Sequence, residues 1–382
     1  MPSLITMLVG ILLAVLGASP AAALAALTDE DLRSIPSPGD DFDIHTGKLL
    51  APILIPRVPG TEGSFKTQKH FVDFFKSSLP LWELAWQNST CETPLSGTKK
   101  VPFSNLIFSR DPPGSHPGDV SRLTLVAHFD TLIKPEGFVG AIDSAAPCAM
   151  LMHVARSIDA ALTKKWKEDD GSGGLDERQG VQILFLDGEE AFKQWSATDS
   201  LYGARSLAEE WEMTFHPALS TFRTPLESIS LFVLLDLLGS PDPSIPSYFL
   251  PTHWTYRSMA ALEARMRALN LLESKPAKPF LWNADKEPHE FYRNFIEDDH
   301  VPFMQRGVNV LHIIPDRFPA VWHKIDDDGD HLDLPTTRDW ARIVTAFVVE
   351  FMELGGLLDA TAATSAGKTS ATGSVHSKRT EL

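Results

Sequence analysis

Two adjacent glutamates, Glu189 and Glu190, stand directly after the apolar run VQILFL (181–186) and Asp187. Burying charge is costly unless the charge is paired or bound to a metal. A core strand that delivers three carboxylates to its tip therefore needs a reason. The other apolar runs end in the same way. AHFD (127–130) ends the first with His128 and Asp130, and Asp143 follows in GAIDSAAP. LLDLLG ends the third with Asp236, and IEDDHVPF places Asp298, Asp299 and His300 before the fourth. After it come His312 and, in FPAVWH, His323. Histidines with carboxylates and no cysteine suit catalytic zinc, where three protein ligands leave one position open. Taken singly, each residue has a plainer explanation. A Glu-Glu pair is favoured at a helix start by the dipole, and a lone histidine is more often structural. It is their joint occurrence at successive strand ends that points to a metal-assisted acid–base site.

The elements that would position these groups can be read along the chain. Near-continuous apolar runs at 122–130, 181–187, 228–239 and 308–315 predict buried strands. Helical spacing appears at 64–87, 147–162, 199–212, 255–272 and 336–358, with Pro147 suited to a first turn and Asp199 or Ser200 to a cap. Residues 164–180 are polar and glycine-rich and read as a loop. Strands alternating with helices mean an α/β fold, a mostly parallel sheet covered on both faces. Such sheets bind ligands at the carboxyl ends of their strands, which is where the charge lies.

The chain has 382 residues and a formal net charge of −16. That balance excludes a nucleic-acid-binding role, which needs a basic face, and suits cationic ligands such as peptides with a free amino terminus. LITMLVGILLAVLG followed by SPAAALAAL reads as a signal peptide over residues 1–26, with an uncleaved anchor as the alternative. No later stretch is long enough to span a membrane, so the mature form has no expected span. The secretory route, secreted or lumenal in the endoplasmic reticulum or Golgi, is the expected location. Asn88-Ser89-Thr90 is a glycosylation sequon. Cys91 and Cys148 could pair in an oxidising compartment or remain two separate thiols. Residues 27–358 read as one catalytic domain. The tail, 359–382, is small, polar and unable to bury a core.

The motifs HFD, GAIDSAAPCAMLM, LFLDGEEAFKQWSATDSLYGAR, LLDLLGSPDP, EDDHVPFMQRGVNVLHIIP and FPAVWH together resemble the glutaminyl-peptide cyclotransferases, relatives of the zinc aminopeptidase clan. The likeness runs over roughly residues 45–355. It implies a zinc aminopeptidase-like α/β fold with a mixed sheet of about six strands. It also implies one zinc per chain and conversion of amino-terminal glutamine of peptides and proteins to pyroglutamate with release of ammonia. Carried over by motif, Asp143, Glu190 and His323 would hold the metal and Glu189 would move the proton. Asp236 and Asp298 would form the hydrogen-bond network beside it. Trp195, Phe318 and Trp322 would wall the pocket, with His312 nearby. Relatives often carry a cysteine before the histidine of the first strand, paired with the one in PCAM. Ala127 stands there in this chain, so the resemblance leaves Cys148 without that partner. A monomer acting on peptide substrates is the expected form.

The residue types fit that chemistry. The peptide's own amine is the nucleophile, so no activated water is needed, and one carboxylate can take a proton from the amine and give one to the leaving nitrogen. The rival expectation is a two-metal aminopeptidase of the same fold, with Asp143 bridging, His128 and Asp236 as further ligands, and Glu189 activating water. A third is a catalytically silent peptide-binding domain, against which the intact Glu189, Glu190, Asp143 and His323 argue.

Overall fold

Four of the apolar runs form the parallel centre of one sheet. The computed structural model describes residues 25–168, 178–292 and 296–358. In chain order the strands are β1 (Glu83–Glu92), β2 (Lys100–Arg110), β3 (Ser121–His128), β4 (Gln179–Leu186), β5 (Ile229–Leu235) and β6 (Val310–Ile313). Their spatial order is β1-β2-β4-β3-β5-β6. The pairs β3–β4, β3–β5 and β5–β6 are parallel, whereas β1–β2 and β2–β4 are antiparallel. The sheet is thus mixed, with an antiparallel hairpin added to one side of a parallel core.

The helices are α1 (Asp29–Ser34), α2 (Glu62–Ser78), α3 (Ala146–Glu168), α4 (Tyr202–Met213), α5 (His253–Ala268), α6 (Val301–Met304) and α7 (Leu334–Phe351). Strand side chains alternate between faces, and the core divides accordingly. Leu125, Ile183 and Val233 pack into the larger cluster with Phe71 and Phe75 of α2, Met150 and Val154 of α3, Met259 of α5 and Phe347 of α7. Val126, Leu184 and Leu234 face the other way, onto Leu207 and Trp211 of α4 and Phe303 of α6. Both faces are covered, which explains why the strands read as continuous rather than alternating apolar runs. On the larger side, Phe71 stacks on Phe185 at 4.0 Å and Phe75 on Phe108 at 3.7 Å. Such ring pairs contribute about 0.5–1.5 kcal/mol each beyond burial.

Three local expectations are corrected. The helical spacing over 64–87 joins two elements: α2 stops at Ser78, and Trp86 lies on β1. Pro80 disfavours helical dihedrals at Leu79 and breaks the run there. Neither Asp199 nor Ser200 caps α4. Its N-cap is Leu201, with φ 52° and no side-chain cap. Instead the amides of Leu201, Tyr202 and Gly203 donate to the carbonyls of Glu189, Gly188 and Asp187 at 2.9, 2.7 and 3.0 Å. Backbone carbonyls beyond the tip of β4 thus satisfy the orphan donors of a helix start. Residue 203 must be glycine for this approach, since a Cβ there would lie 2.2 Å from the Asp187 carbonyl oxygen. The loop expected over 164–180 begins later, because α3 continues to Glu168. The signal peptide and the tail fall almost wholly outside the described residues. Among the described residues, no helix is long and apolar enough to cross a membrane.

Arg57 braces the site from below. It is fully buried in an otherwise apolar segment. Its guanidinium donates to the carbonyls of Ile53, Ile55, Phe129, Val139 and Gly140 at 2.6–3.1 Å. One side chain therefore joins the loop after β3 to the loop that leads to Asp143. Arg57→Met would orphan these acceptors, each costing ~1–3 kcal/mol where water cannot reach it. We expect a loss of at least ~3 kcal/mol in urea unfolding; a loss below 1 kcal/mol would show that the brace is dispensable.

Candidate active site

The strand tips converge on one cleft of about 510 Å³. Its lining includes Asp143, Glu189, Glu190, Trp195, Asp236, Phe318, Trp322 and His323. Asp298 and His312 do not line it. They lie buried behind it, with His312 Nε2 2.7 Å from Asp298 Oδ2.

The three carboxylates after β4 part company. Asp187 turns to β2: its Oδ2 accepts from the Ser104 amide at 2.9 Å, and its own amide donates to Asn105 Oδ1 at 3.0 Å. Gly188 makes the turn at φ 75°, and a Cβ there would meet the Phe103 ring at 2.4 Å. Glu189 and Glu190 then enter the cleft. Asp130, just past β3, fixes both, because its two carboxylate oxygens accept from their amides at 3.0 and 3.1 Å. The glutamates are thus held by backbone bonds, which leaves both side chains free for chemistry.

Asp143 leads into α3 from a non-helical conformation (φ −116°, ψ 78°). His323 adopts φ 55°, and strain of this kind concentrates at functional sites. His323 Nε2 lies 3.5 Å from both Asp143 Oδ2 and Glu190 Oε2. Ligand atoms of these three residues all fall within 4.8 Å of one another. Two tetrahedral ligands ~2.0–2.1 Å from zinc stand roughly 3.3 Å apart, so the spacing fits that ion. So does Glu190 Oε1, a buried acceptor with no hydrogen-bond partner among the described residues. Burial holds the His323 imidazole below its usual range, and the neutral ring is the form that binds metal.

A second donor set adjoins the first. His128 Nε2 lies 3.0 Å from Asp143 Oδ1 and 3.4 Å from Asp236 Oδ1. The Asp236 oxygen already accepts from the Ser144 hydroxyl and the Leu237 amide. Burial opposes charge on His128, but hydrogen bonds to Asp130, Asp143 and Asp236 outweigh it and raise the ring well above its usual range. Burial, together with Glu190, Asp298 and Asp299, pushes Glu189 well above the carboxylate range against the pull of His128.

The walls are aromatic. Trp322 stacks on His323 at 3.8 Å and meets Phe318 edge-on at 4.7 Å. Opposite, Trp195 Nε1 donates to Glu297 Oε2 at 3.1 Å. Asp199, expected as a helix cap, shapes the loop before Trp195 by accepting from the amides of Phe192, Lys193 and Gln194, each at 2.9 Å. Cys148 and Cys91 are both free thiols. Cys148 donates to the His128 carbonyl at 3.1 Å.

Sequence reasoning missed Arg57 and Asp327. Arg57 had a signal, a lone charge among apolar residues and prolines; Asp327 was hidden in a run of three aspartates. Asp327 ties the His323 segment to the Asp143 loop. Its Oδ1 accepts from the Ile142 amide at 2.8 Å and its carbonyl from the Ala141 amide at 3.2 Å. Lys193, Gln194 and Glu297 also line the cleft unforeseen.

An α/β sheet with a histidine–carboxylate donor set at its strand tips defines the class. The sequence profile of peptidase family M28 matches residues 105–348, and the chain belongs to that family. Within it the chain falls among the glutaminyl-peptide cyclotransferases. It is 38% identical over 309 residues to the glutaminyl-peptide cyclotransferase-like protein of Bos taurus, covering 80% of this chain and 75% of the relative. The crystal structure of Macrostomum lignano glutaminyl cyclase superposes with a TM-score of 0.71 at 28% identity, covering 88% of this chain and 97% of that one. The fold extends to a Zn-dependent exopeptidase from Parabacteroides distasonis, with a TM-score of 0.54 at 18% identity, covering 81% of this chain and 98% of that one.

The Asp327 contact makes a pH prediction for the metal-free protein. Burial and the nearby Asp143 carboxylate push Asp327 from 3.8 up to about 7. Between these values the native state holds a proton that the unfolded chain has released. Stability therefore falls as pH rises through that window. In Asp327→Asn this contribution should vanish, giving a flatter profile of melting temperature against pH from 4 to 7. Parallel profiles for the two proteins would contradict the assignment.

Proposed function

We propose that this protein is a zinc-dependent glutaminyl-peptide cyclotransferase that converts amino-terminal glutamine of peptides and proteins to pyroglutamate. The observation that carries the reading is the Asp143–Glu190–His323 donor set on the floor of an aromatic-walled cleft, with Glu189 beside it. Homology to proteins named for this activity supports it. One zinc, held by Asp143, Glu190 and His323, would supply Lewis-acid polarisation of the glutamine side-chain carbonyl.

The chain's own residues do the rest. Trp195, Phe318 and Trp322 bury the glutamine side chain and exclude water, so that the α-amine rather than water reaches the carbonyl carbon. The Glu189 carboxylate takes a proton from the attacking amine and delivers one to the departing amide nitrogen. The bond from the α-nitrogen to the side-chain carbonyl carbon forms, the bond to the side-chain nitrogen breaks, and ammonia leaves. Asp236 and Asp298 hold the network next to Glu189, and His312 orients Asp298 through their hydrogen bond. The catalytic domain is residues 27–358, acting as a monomer on the secretory route after removal of residues 1–26.

A two-metal aminopeptidase is the second reading, favoured by the adjoining His128–Asp143–Asp236 set. Against it, the relatives matched over about 80% of the chain are named glutaminyl-peptide cyclotransferases. Purified protein should release ammonia from a Gln-initiated peptide, leave a leucyl chromogenic substrate intact and contain one zinc per chain by elemental analysis. Two zincs with leucyl hydrolysis would establish the aminopeptidase instead.

The adjacent glutamates should behave differently. Glu190→Gln should loosen or strip the metal, because a neutral amide is a poor zinc ligand. Glu189→Gln should keep the metal and lose ~10²–10⁴ in turnover, the usual contribution of general acid–base catalysis. Equal loss of zinc in both variants, or near-normal turnover in Glu189→Gln, would sink this division of labour.

A further inference from the structure

The sequon that the active site does not use falls at a telling place. The chain contains six asparagines, and only Asn88, in Asn88-Ser89-Thr90, heads an Asn-X-Ser/Thr triplet. Asn88 lies midway along β1, the outermost strand beside β2. The other outer strand, β6, is four residues long and wholly buried. β1 is ten residues long and pairs with β2 through ten consecutive positions without a register shift. It therefore presents a long, regular row of backbone donors and acceptors on its open side, a template for pairing with another chain.

Proteins blunt such edges with lysine, proline, a bulge or a covering element. β1 contains no lysine or proline and no bulge. Among the described residues, a helix guards one of its faces: Gln87 is buried and donates to Ser206 and Glu210 of α4 at 2.9 and 3.1 Å. Side chains two apart share a face, so Trp86, Asn88 and Thr90 stand together on the opposite one. All three are exposed, Trp86 at 43%.

We propose that Asn88 carries an N-linked glycan that closes this edge of the sheet. The modification needs the secretory route and a lipid-diphosphate oligosaccharide donor. The Asn88 Nδ2–C1 bond forms, and the bond from C1 to the diphosphate oxygen breaks. The amide gives up one proton, and the lipid diphosphate leaves. A hydrated oligosaccharide rooted on the face of β1 at its middle is large enough to overhang the open edge, where a further strand would have to lie about 4.8 Å away. The exposed Trp86 ring, two residues earlier on the same face, gives the first sugars an apolar surface to rest on.

The test uses the full chain expressed in a eukaryotic secretory host and recovered from both cells and medium. Treatment with a peptide N-glycosidase, which hydrolyses the side-chain amide and releases the whole glycan as its glycosylamine, should remove one glycan mass and convert Asn88 to aspartate in the peptide map. Asn88→Gln and Thr90→Ala should each abolish that shift. The glycosylated protein should elute as a monomer. Asn88→Gln should lose its monomer peak to aggregates, while its remaining monomer keeps wild-type turnover and melting temperature. Adding Trp86→Lys to Asn88→Gln should restore the monomer, since a lysine blocks edge pairing without a glycan. A chain that enters the lumen or the medium without a glycan on Asn88 overturns the site. An Asn88→Gln protein that stays monomeric, or aggregation that the lysine does not relieve, overturns the edge role.

Discussion

Everything at the strand tips follows from the burial of many carboxylates in one layer. Asp130, Asp143, Asp187, Glu189, Glu190, Asp236, Asp298, Asp299 and Asp327 are each at most 7% exposed. Like charges at this density cannot all stay ionised without compensation. The fold supplies it in several forms. Backbone amides turn to Asp130, Asp187 and Asp327, the His128 ring sits among Asp130, Asp143 and Asp236, and the Arg57 guanidinium lies beneath the loops. Glu190 Oε1 remains without a partner among the described residues, and the other oxygen, Oε2, stands 3.5 Å from His323 Nε2 in the set that would hold a metal. In this layer the hydrogen bonds serve mainly to make an anionic cleft affordable.

Much of this was legible in the sequence because parallel α/β folds place function at strand ends. The runs ending in His128, Asp187 and Asp236 became β3, β4 and β5 with their loops, and Asp143, Glu190 and His323, the set the resemblance implies, lie with ligand atoms within 4.8 Å of one another. The hairpin β1–β2 was not legible. Its edge strand is half polar, and its Trp86 extended the helical spacing of α2. Arg57 and Asp327 escaped for another reason. Their partners are backbone groups up to 185 residues away, and a backbone carbonyl or amide leaves no residue-type signal. The placement of His312 and Asp298 behind the cleft was likewise invisible, because a strand-end residue can face either the cavity or the layer beneath it.

The division between cyclisation and hydrolysis rests on the walls more than on the donors. Both reactions use a polarised carbonyl and a carboxylate that handles protons, and both donor sets are present. They differ in which nucleophile reaches the carbonyl. In the proposed reaction the aromatic rings of Trp195, Phe318 and Trp322 would favour a substrate that brings its own amine.

The stretch from Phe318 to Asp327 holds two pocket walls, the only histidine of the Asp143–Glu190–His323 set and the clamp onto the Asp143 loop. These roles travel together in ten consecutive residues, whereas the acidic ligands are set by distant strands. Divergence within this scaffold is therefore modular. Under the proposed reading, changes confined to this short cassette would recast what the cleft admits, and a change at Trp322 would also act on the His323 imidazole on which it stacks. On that reading, substrate range and metal retention would be inherited together at Trp322.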